Sequence, residues 1–308
     1  MELKHLHTFR VLAKELSFSK AAETLNYAQS SVTAHIQALE DELGVPLFER
    51  LGKRVVLTAA GQRMVAAAQK MLSLADEIKS SVPGSEVPSG TLTIGAHESQ
   101  CTYRLPPILR EFRSRYPQVQ LIFRPIISDR HSQELLIQGT LDAAFLLELA
   151  VKSDQLLVEP LVEERIVVLA HPQHRLARSE RVSPTDLDGE AIFTTEQGCS
   201  YRQLFEQSLL AARVQPGAKI EFAGIEGIKQ CVMAGLGITV LPEMTVAQEI
   251  ARGQLAPLAW AGPDFQVFTQ VAWHKDKWIS PALRAFLEIT RNTLRPNDRP
   301  MAANERIS

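Results

Sequence analysis

The chain has 308 residues, 45% of them hydrophobic, with a net charge of −2 and three cysteines. That length suits two or three domains with buried cores, the charge gives no global attraction to polyanions, and Cys101, Cys199 and Cys231 form neither an even disulfide set nor a metal-ligand spacing. No stretch approaches the roughly 20 apolar residues of a bilayer span, and MELKHLHTF lacks the apolar core of an export signal, so a cytoplasmic protein with no membrane partner is expected.

Residues 17–43, SFSKAAETLNYAQSSVTAHIQALEDEL, hold two segments of helical apolar spacing joined by Asn26, Tyr27 and Ala28. In the second segment Val32, Ile36, Leu39 and Leu43 share one face and demand burial. In the first, Ala21, Ala22 and Leu25 form the inward side, and the alanines admit a close helix neighbour. Ser17 or Ser19 supplies an N-cap, and Gly44 followed by Pro46 a stop. This is helix-turn-helix spacing. The outer face of the second helix offers Gln29, Ser30, Ser31, Thr33, His35 and Gln37, which are short donors and acceptors rather than the Lys and Glu of an ordinary solvated face. Such side chains fit a major groove about 12 Å wide, where Gln pairs with adenine and the Thr methyl meets thymine. The next stretch, VPLFERLGKRVVLT, reads as a basic hairpin, or wing, whose Arg50, Lys53 and Arg54 are placed for phosphates.

From Thr58 to about Val82 the pattern is one long helix of roughly 37 Å. Met64, Ala68, Met71, Ala75, Ile78 and Val82 step along it by four and three, a coiled-coil seam that self-association would bury; packing on the chain's own first helix is the alternative. A two-fold dimer then predicts an inverted-repeat site on double-stranded DNA. PGSEVPSG, residues 83–90, is a hinge, and beyond it strand-like runs alternate with amphipathic helices, which predicts an α/β architecture with largely parallel sheets.

FSKAAETL, QSSVTAHIQALEDELGVPLFER and LTAAG closely resemble the N-terminal winged helix-turn-helix of LysR-type transcriptional regulators. TLTIGAH, RLPPILREFRSRYPQV, QGTLDAAFLL and VMAGLGITVLP follow in the order of that family's effector domain, so the resemblance spans essentially the whole chain. Ala28 departs from the capping Ser often found before the reading helix, and Ala34 from a longer phosphate-binding side chain. The resemblance implies an all-α winged helix-turn-helix over residues 1–60, a linker and dimerisation helix over 58–82, and a periplasmic-binding-protein-like domain over 91–300. Its two α/β lobes would span about 91–162 with 266–300, and about 163–265. It further implies promoter binding as a dimer or homotetramer, action on RNA polymerase, and a small-molecule effector rather than a cofactor.

Ligands in open α/β sheets sit beyond the carboxyl ends of strands and at helix N-termini. In the first lobe that selects Ser99, Gln100, Cys101, Thr102, Ser128 and Leu147; in the second, Thr195, Gly198, Cys199, Ser200, Tyr201, Arg202, Ile225 and Glu226. Converging helix N-termini and Arg202 point to an anionic effector, unless Arg202 instead pairs with Glu206. Cys101 and Cys199 raise a redox-sensing alternative, and constitutive DNA binding without an inducer is another. No nucleophile elbow, Walker loop or metal triad is legible, and His171 with His174 lacks a third ligand, so neither an enzyme nor a metal site is expected.

Overall fold

The computed structural model describes residues 1–52, 54–81, 88–126, 128–149 and 153–295. Lys53, Val82, hinge residues 83–87 and residues 296–300 lie outside the described residues.

The N-terminal unit is built from α1 (Leu3–Glu15), α2 (Phe18–Leu25), α3 (Gln29–Leu43), a hairpin of β1 (Phe48–Leu51) and β2 (Arg54–Leu57), and the long α4 (Ala59–Ser81). Apolar spacing decides the packing: Leu6, Phe9 and Leu12 of α1 bury against Ala21, Val32, Ile36 and Leu39. Each large side chain buried there contributes about 1.5–3 kcal/mol. Ser17 caps α2, accepting from Lys20 N at 3.4 Å, and Gly44 ends α3 in the left-handed region with φ of 70°. Gly61 carries a steric requirement, because a Cβ there would collide with the Leu47 carbonyl oxygen.

The chain continues through β3 (Gly90–Ala96), α5 (Glu98–Tyr103), α6 (Leu105–Arg115), β4 (Val119–Pro125), α7 (Asp129–Ile137), β5 (Ala143–Glu148) and β6 (Leu156–Glu164). It crosses at Arg165 into β7 (Ile166–Ala170), β8 (Ala191–Thr194), α8 (Ser200–Ala211), β9 (Ala218–Glu221), α9 (Ile225–Met233), β10 (Ile238–Pro242), α10 (Ala247–Ala251) and β11 (Ala256–Pro257). It returns through β12 (Val267–His274) and closes with α11 (Pro281–Leu294). Two five-stranded sheets result, ordered β4-β3-β5-β12-β6 in lobe I and β11-β7-β10-β8-β9 in lobe II.

The sheets are mixed, which corrects the largely parallel expectation. β3 runs parallel to β4 and β5, and β8 to β9 and β10, whereas β12 is antiparallel to β5 and β6, and β7 to β10 and β11. The physical reason is the double crossing: β6 leaves lobe I and β12 comes back into it, so the two must lie head to tail. Lobe I packs around Phe112, Phe145 and Phe286, and lobe II around Phe193 and Phe205. Among the described residues no helix is long and apolar enough to cross a membrane.

Candidate nucleic-acid interface and inter-lobe cleft

On α3, burying Val32, Ile36 and Leu39 turns the opposite face outward. Gln29, Ser30, Thr33 and Gln37 are exposed there, with Ser31 half-buried at the edge. Their hydrogen bonds are local: Ser19 Oγ donates to Gln29 Oε1 at 3.1 Å, Thr33 Oγ1 to Gln29 O at 3.0 Å, and Gln37 Nε2 to Asp41 Oδ1 at 2.8 Å. Bonds of this kind on the surface exchange for base edges at little cost.

His35 does not join that face, which corrects its assignment as a DNA-reading residue. The ring turns onto α1, with Nδ1 2.9 Å from Thr8 Oγ1, and packs against the rings of His5 and Tyr27 at 4.9 and 5.6 Å. Thr8 already gives its single hydroxyl proton to Lys4 O, so Nδ1–H of His35 is the donor of the pair. Burial, with the neighbouring His5, holds the imidazole below its ordinary pKa.

The wing is tied to α3 by a residue whose role the sequence did not reveal. Glu40 accepts from Leu47 N at 2.7 Å and Phe48 N at 3.1 Å. Thr58 Oγ1 donates to Pro46 O and caps α4 by accepting from Gly61 N. Arg50 lies over the Phe18 ring at 5.3 Å, beside the start of α2, and Arg54 is exposed.

The seam expected along α4 splits in two. Met64 and Ala68 join Leu72 in the core against α1, the alternative partner, so they are not a surface for a second chain. Met71, Leu74 and Ile78 are 41%, 57% and 60% exposed, and Ala75 is half-buried. Leu74, absent from the heptad read from the sequence, lies one turn from Met71 and Ile78.

In lobe I, Gln100 is wholly buried and donates to Leu146 O at 2.9 Å, with Ser99 also buried, Cys101 half-buried in the core and Thr102 exposed. Gln100 is therefore a fastener within the lobe rather than an open contact. Ser128 caps α7 and Leu147 is buried, its N–H donating to Asp129 Oδ1 at 3.2 Å. Asp129 Oδ1 also receives His97 Nε2 at 2.9 Å, while Asp129 Oδ2 is buried without a hydrogen-bond partner among the described residues. Beside it, burial and then the charge of Asp129 push the Glu148 carboxyl up to about 7, with Gln133 donating to it at 3.1 Å. His97, Asp129, Gln133 and Glu148 were all missed, although an acid in the first turn of a helix that follows a strand was visible at Asp129.

In lobe II, Thr195, Gly198, Cys199 and Ser200 form the joint between β8 and α8 and are half-buried, and Tyr201 is buried beneath them. Burial pushes the Cys199 thiol up to about 11 and Tyr201 well above the ordinary phenol range; burial, then Glu98, raises the Cys101 thiol. Thr195 Oγ1 is buried, with the Cys199 thiol and the Tyr201 hydroxyl as its polar neighbours. Arg202 takes the alternative foreseen for it, pairing within lobe II. Its guanidinium donates to Thr195 O, to Glu221 Oε2 at 2.6 Å and to Glu206 Oε1 at 3.2 Å, so its charge is already matched. Ile225 is buried, and Glu226 is exposed, pairing with Lys229 at 3.0 Å.

The lobes touch at several points. Tyr103 Oη of lobe I donates to Thr245 O of lobe II at 3.2 Å, and within lobe I, beside the crossing, Arg104 forks onto the buried Glu164 of β6 at 2.9 and 2.5 Å. A cavity of about 800 Å³ lined by Glu164, Arg181, Trp260 and Phe265 lies behind the crossing strands, away from the predicted cleft residues.

The family model described as "Bacterial regulatory helix-turn-helix protein, lysR family" matches residues 3–62, and that described as "LysR substrate binding domain" matches residues 85–295. The chain belongs to the LysR family. It is 50% identical over 96% of its length, and over 100% of the relative, to a Bacillus subtilis protein named as an uncharacterized HTH-type transcriptional regulator, YwqM. It is 33% identical, over 95% of this chain and 97% of the relative, to the B. subtilis HTH-type transcriptional regulator GltR. Among solved structures, full-length OxyR from Pseudomonas aeruginosa superposes with a TM-score of 0.74 at 26% identity, covering 96% of this chain and 95% of that one. The regulator CbnR in complex with its target DNA gives 0.67 at 23% identity, over 95% and 100% of the two chains, a likeness of fold. This LysR-family chain is thus a transcriptional regulator with a DNA-binding helix-turn-helix and an effector-binding domain, in a family that is not enzymatic.

Proposed function

We propose that the protein acts in the cytoplasm as a homodimer, paired further into a homotetramer, whose two α3 helices enter successive major grooves of promoter DNA. Gln29, Ser30, Ser31, Thr33 and Gln37 read base edges, and Arg50, Arg54 and Lys53 hold the sugar-phosphate backbone. The carrying observation is that α3 exposes amides and hydroxyls on the face opposite Val32, Ile36 and Leu39, where an ordinary surface helix presents long charged side chains. Met71, Leu74 and Ile78 form the apolar stripe that a second α4 covers. A small-molecule effector enters the cleft, favours one closure of the lobes, and so changes the spacing of the DNA-binding heads and the access of RNA polymerase. Cysteine-based sensing is disfavoured, because a reactive thiol needs a lowered pKa and the Cys101 and Cys199 thiols are raised. Light scattering of the purified protein, alone and with a promoter fragment, tests the reading: two or four copies per fragment are expected, and a single copy overturns it.

A further inference from the structure

Resting on the cleft-binding reading above, we propose that the effector carries a cationic nitrogen, an ammonium or guanidinium group, that docks against Asp129 and Glu148 of lobe I. The Asp129 side chain is 4% exposed, and its two oxygens have different fates. Oδ1 accepts from Leu147 N and pairs with His97 Nε2, which holds the carboxyl in place. Oδ2 is buried with no donor among the described residues. A buried acceptor left unpaired is costly, and natural structures keep few of them unless something else completes the site. Glu148, at the carboxyl end of β5, brings a second carboxyl close enough for the two to repel, and its described hydrogen-bond donor is the neutral Gln133 amide.

The opposite wall does not supply the missing charge. Cys199 of lobe II lies within electrostatic reach of Asp129, and Tyr201 within reach of Glu98, so these acids face the joint between β8 and α8. What lobe II offers there is Cys199, Tyr201 and Thr195, whose Oγ1 is buried among them. The cations nearby are committed elsewhere: Arg202 to Glu221 and Glu206, Lys229 to Glu249 and Glu226, Arg104 to Glu164.

Helix N-termini would ordinarily favour an anion. Here α5, α7 and α9 carry their own acids, Glu98, Asp129 and Glu226, in the first turn, so the positive ends of three of the four helices are already answered. A metal ion is a poorer fit than an organic cation, because no group of three His, Cys, Asp or Glu side chains among the described residues is arranged to hold one. One ammonium donates several N–H bonds at once, and can therefore bridge Asp129 Oδ2, Glu148 and Thr195 Oγ1 as the lobes close.

The test is calorimetry on the full-length protein with a library of small primary amines and guanidines, and matched sets of carboxylates, diols and divalent metal chlorides. Mobility shift of a promoter fragment is read in parallel. Binding is expected among the amines or guanidines, weakened about tenfold or more in Asp129→Asn and several-fold in Glu148→Gln. The wild-type selectivity stands as evidence even if a variant folds poorly. Binding confined to carboxylates, diols or metals, no hit among the cations, or amine binding unchanged in both variants overturns the inference. Carboxylate binding that still alters the DNA shift would leave the cleft-binding reading intact and remove the cation alone, whereas failure of every compound to bind would remove the reading as well.

Discussion

The DNA-binding head and the inter-lobe cleft both place polar side chains at helix starts, yet they use them in opposite ways. On α3 the side chains are exposed and make local bonds to their own helix or to Ser19. In the cleft several are buried and knit into the lobes, as Gln100 is to Leu146 and Arg202 to Glu221. A surface that reads many base pairs needs removable bonds, whereas a cleft that holds one molecule needs rigid walls with a few open positions. Asp129 Oδ2, without a hydrogen-bond donor among the described residues, is such a position.

Substitutions that separate packing from reading can break or sharpen this contrast. The largest effect belongs to the core: Phe9→Ala empties a wholly buried site and is expected to cost about 3–5 kcal/mol of head stability by chemical denaturation. The cleft's ligand affinity should then change far less than the stability of the head. Next, Thr33→Glu sets a carboxylate on the exposed reading face, and operator affinity is expected to fall by about 100-fold with little change in melting temperature. A variant that loses stability rather than affinity would show that the face is structural.

A third, smaller effect is electrostatic. The folded pKa of Glu148, about 7, is above its ordinary value of 4.5, so the folded state binds the proton more tightly. Its contribution to stability is therefore complete below pH 4.5 and lost as pH rises to about 7. The facing groups are Asp129, His97 and Gln133, and the neutral Glu148→Gln is expected to flatten the decline of melting temperature over that window. An unchanged slope would mean that the site is better hydrated than its burial implies. The smallest effect is at the wing, where Arg54→Ala should lower the salt dependence of DNA binding by about one counterion without altering which sequences are preferred.

How much of this was legible in the sequence follows the same division. The stepping of Val32, Ile36 and Leu39 identified α3 and its outward face, because burial is a periodic signal carried by neighbours three and four residues apart. The family and the two-lobe α/β class were legible in motifs that run the length of the chain. Partners distant in sequence were not. Arg202 has Glu206 one turn on, but Glu221, nineteen residues away, comes from another strand. His35 has the spacing of a reading residue, and only the position of Thr8 on α1 shows that it turns inward. The repeat along α4 said that Met64 and Ala68 are buried, and could not say by which helix. Asp129 is a first-turn acid of α7, and its burial beside Leu147 and His97 depends on residues distant in sequence.

The most direct measurement is selection of bound duplexes from a random DNA library by the purified protein, followed by sequencing. An inverted repeat is expected, its half-sites separated by one helical turn or a multiple of it, and lost when Gln29 and Thr33 are replaced together. Enrichment of no sequence, or of a single unrepeated half-site indifferent to those replacements, would contradict the assignment of α3 as the reading helix of a symmetric dimer.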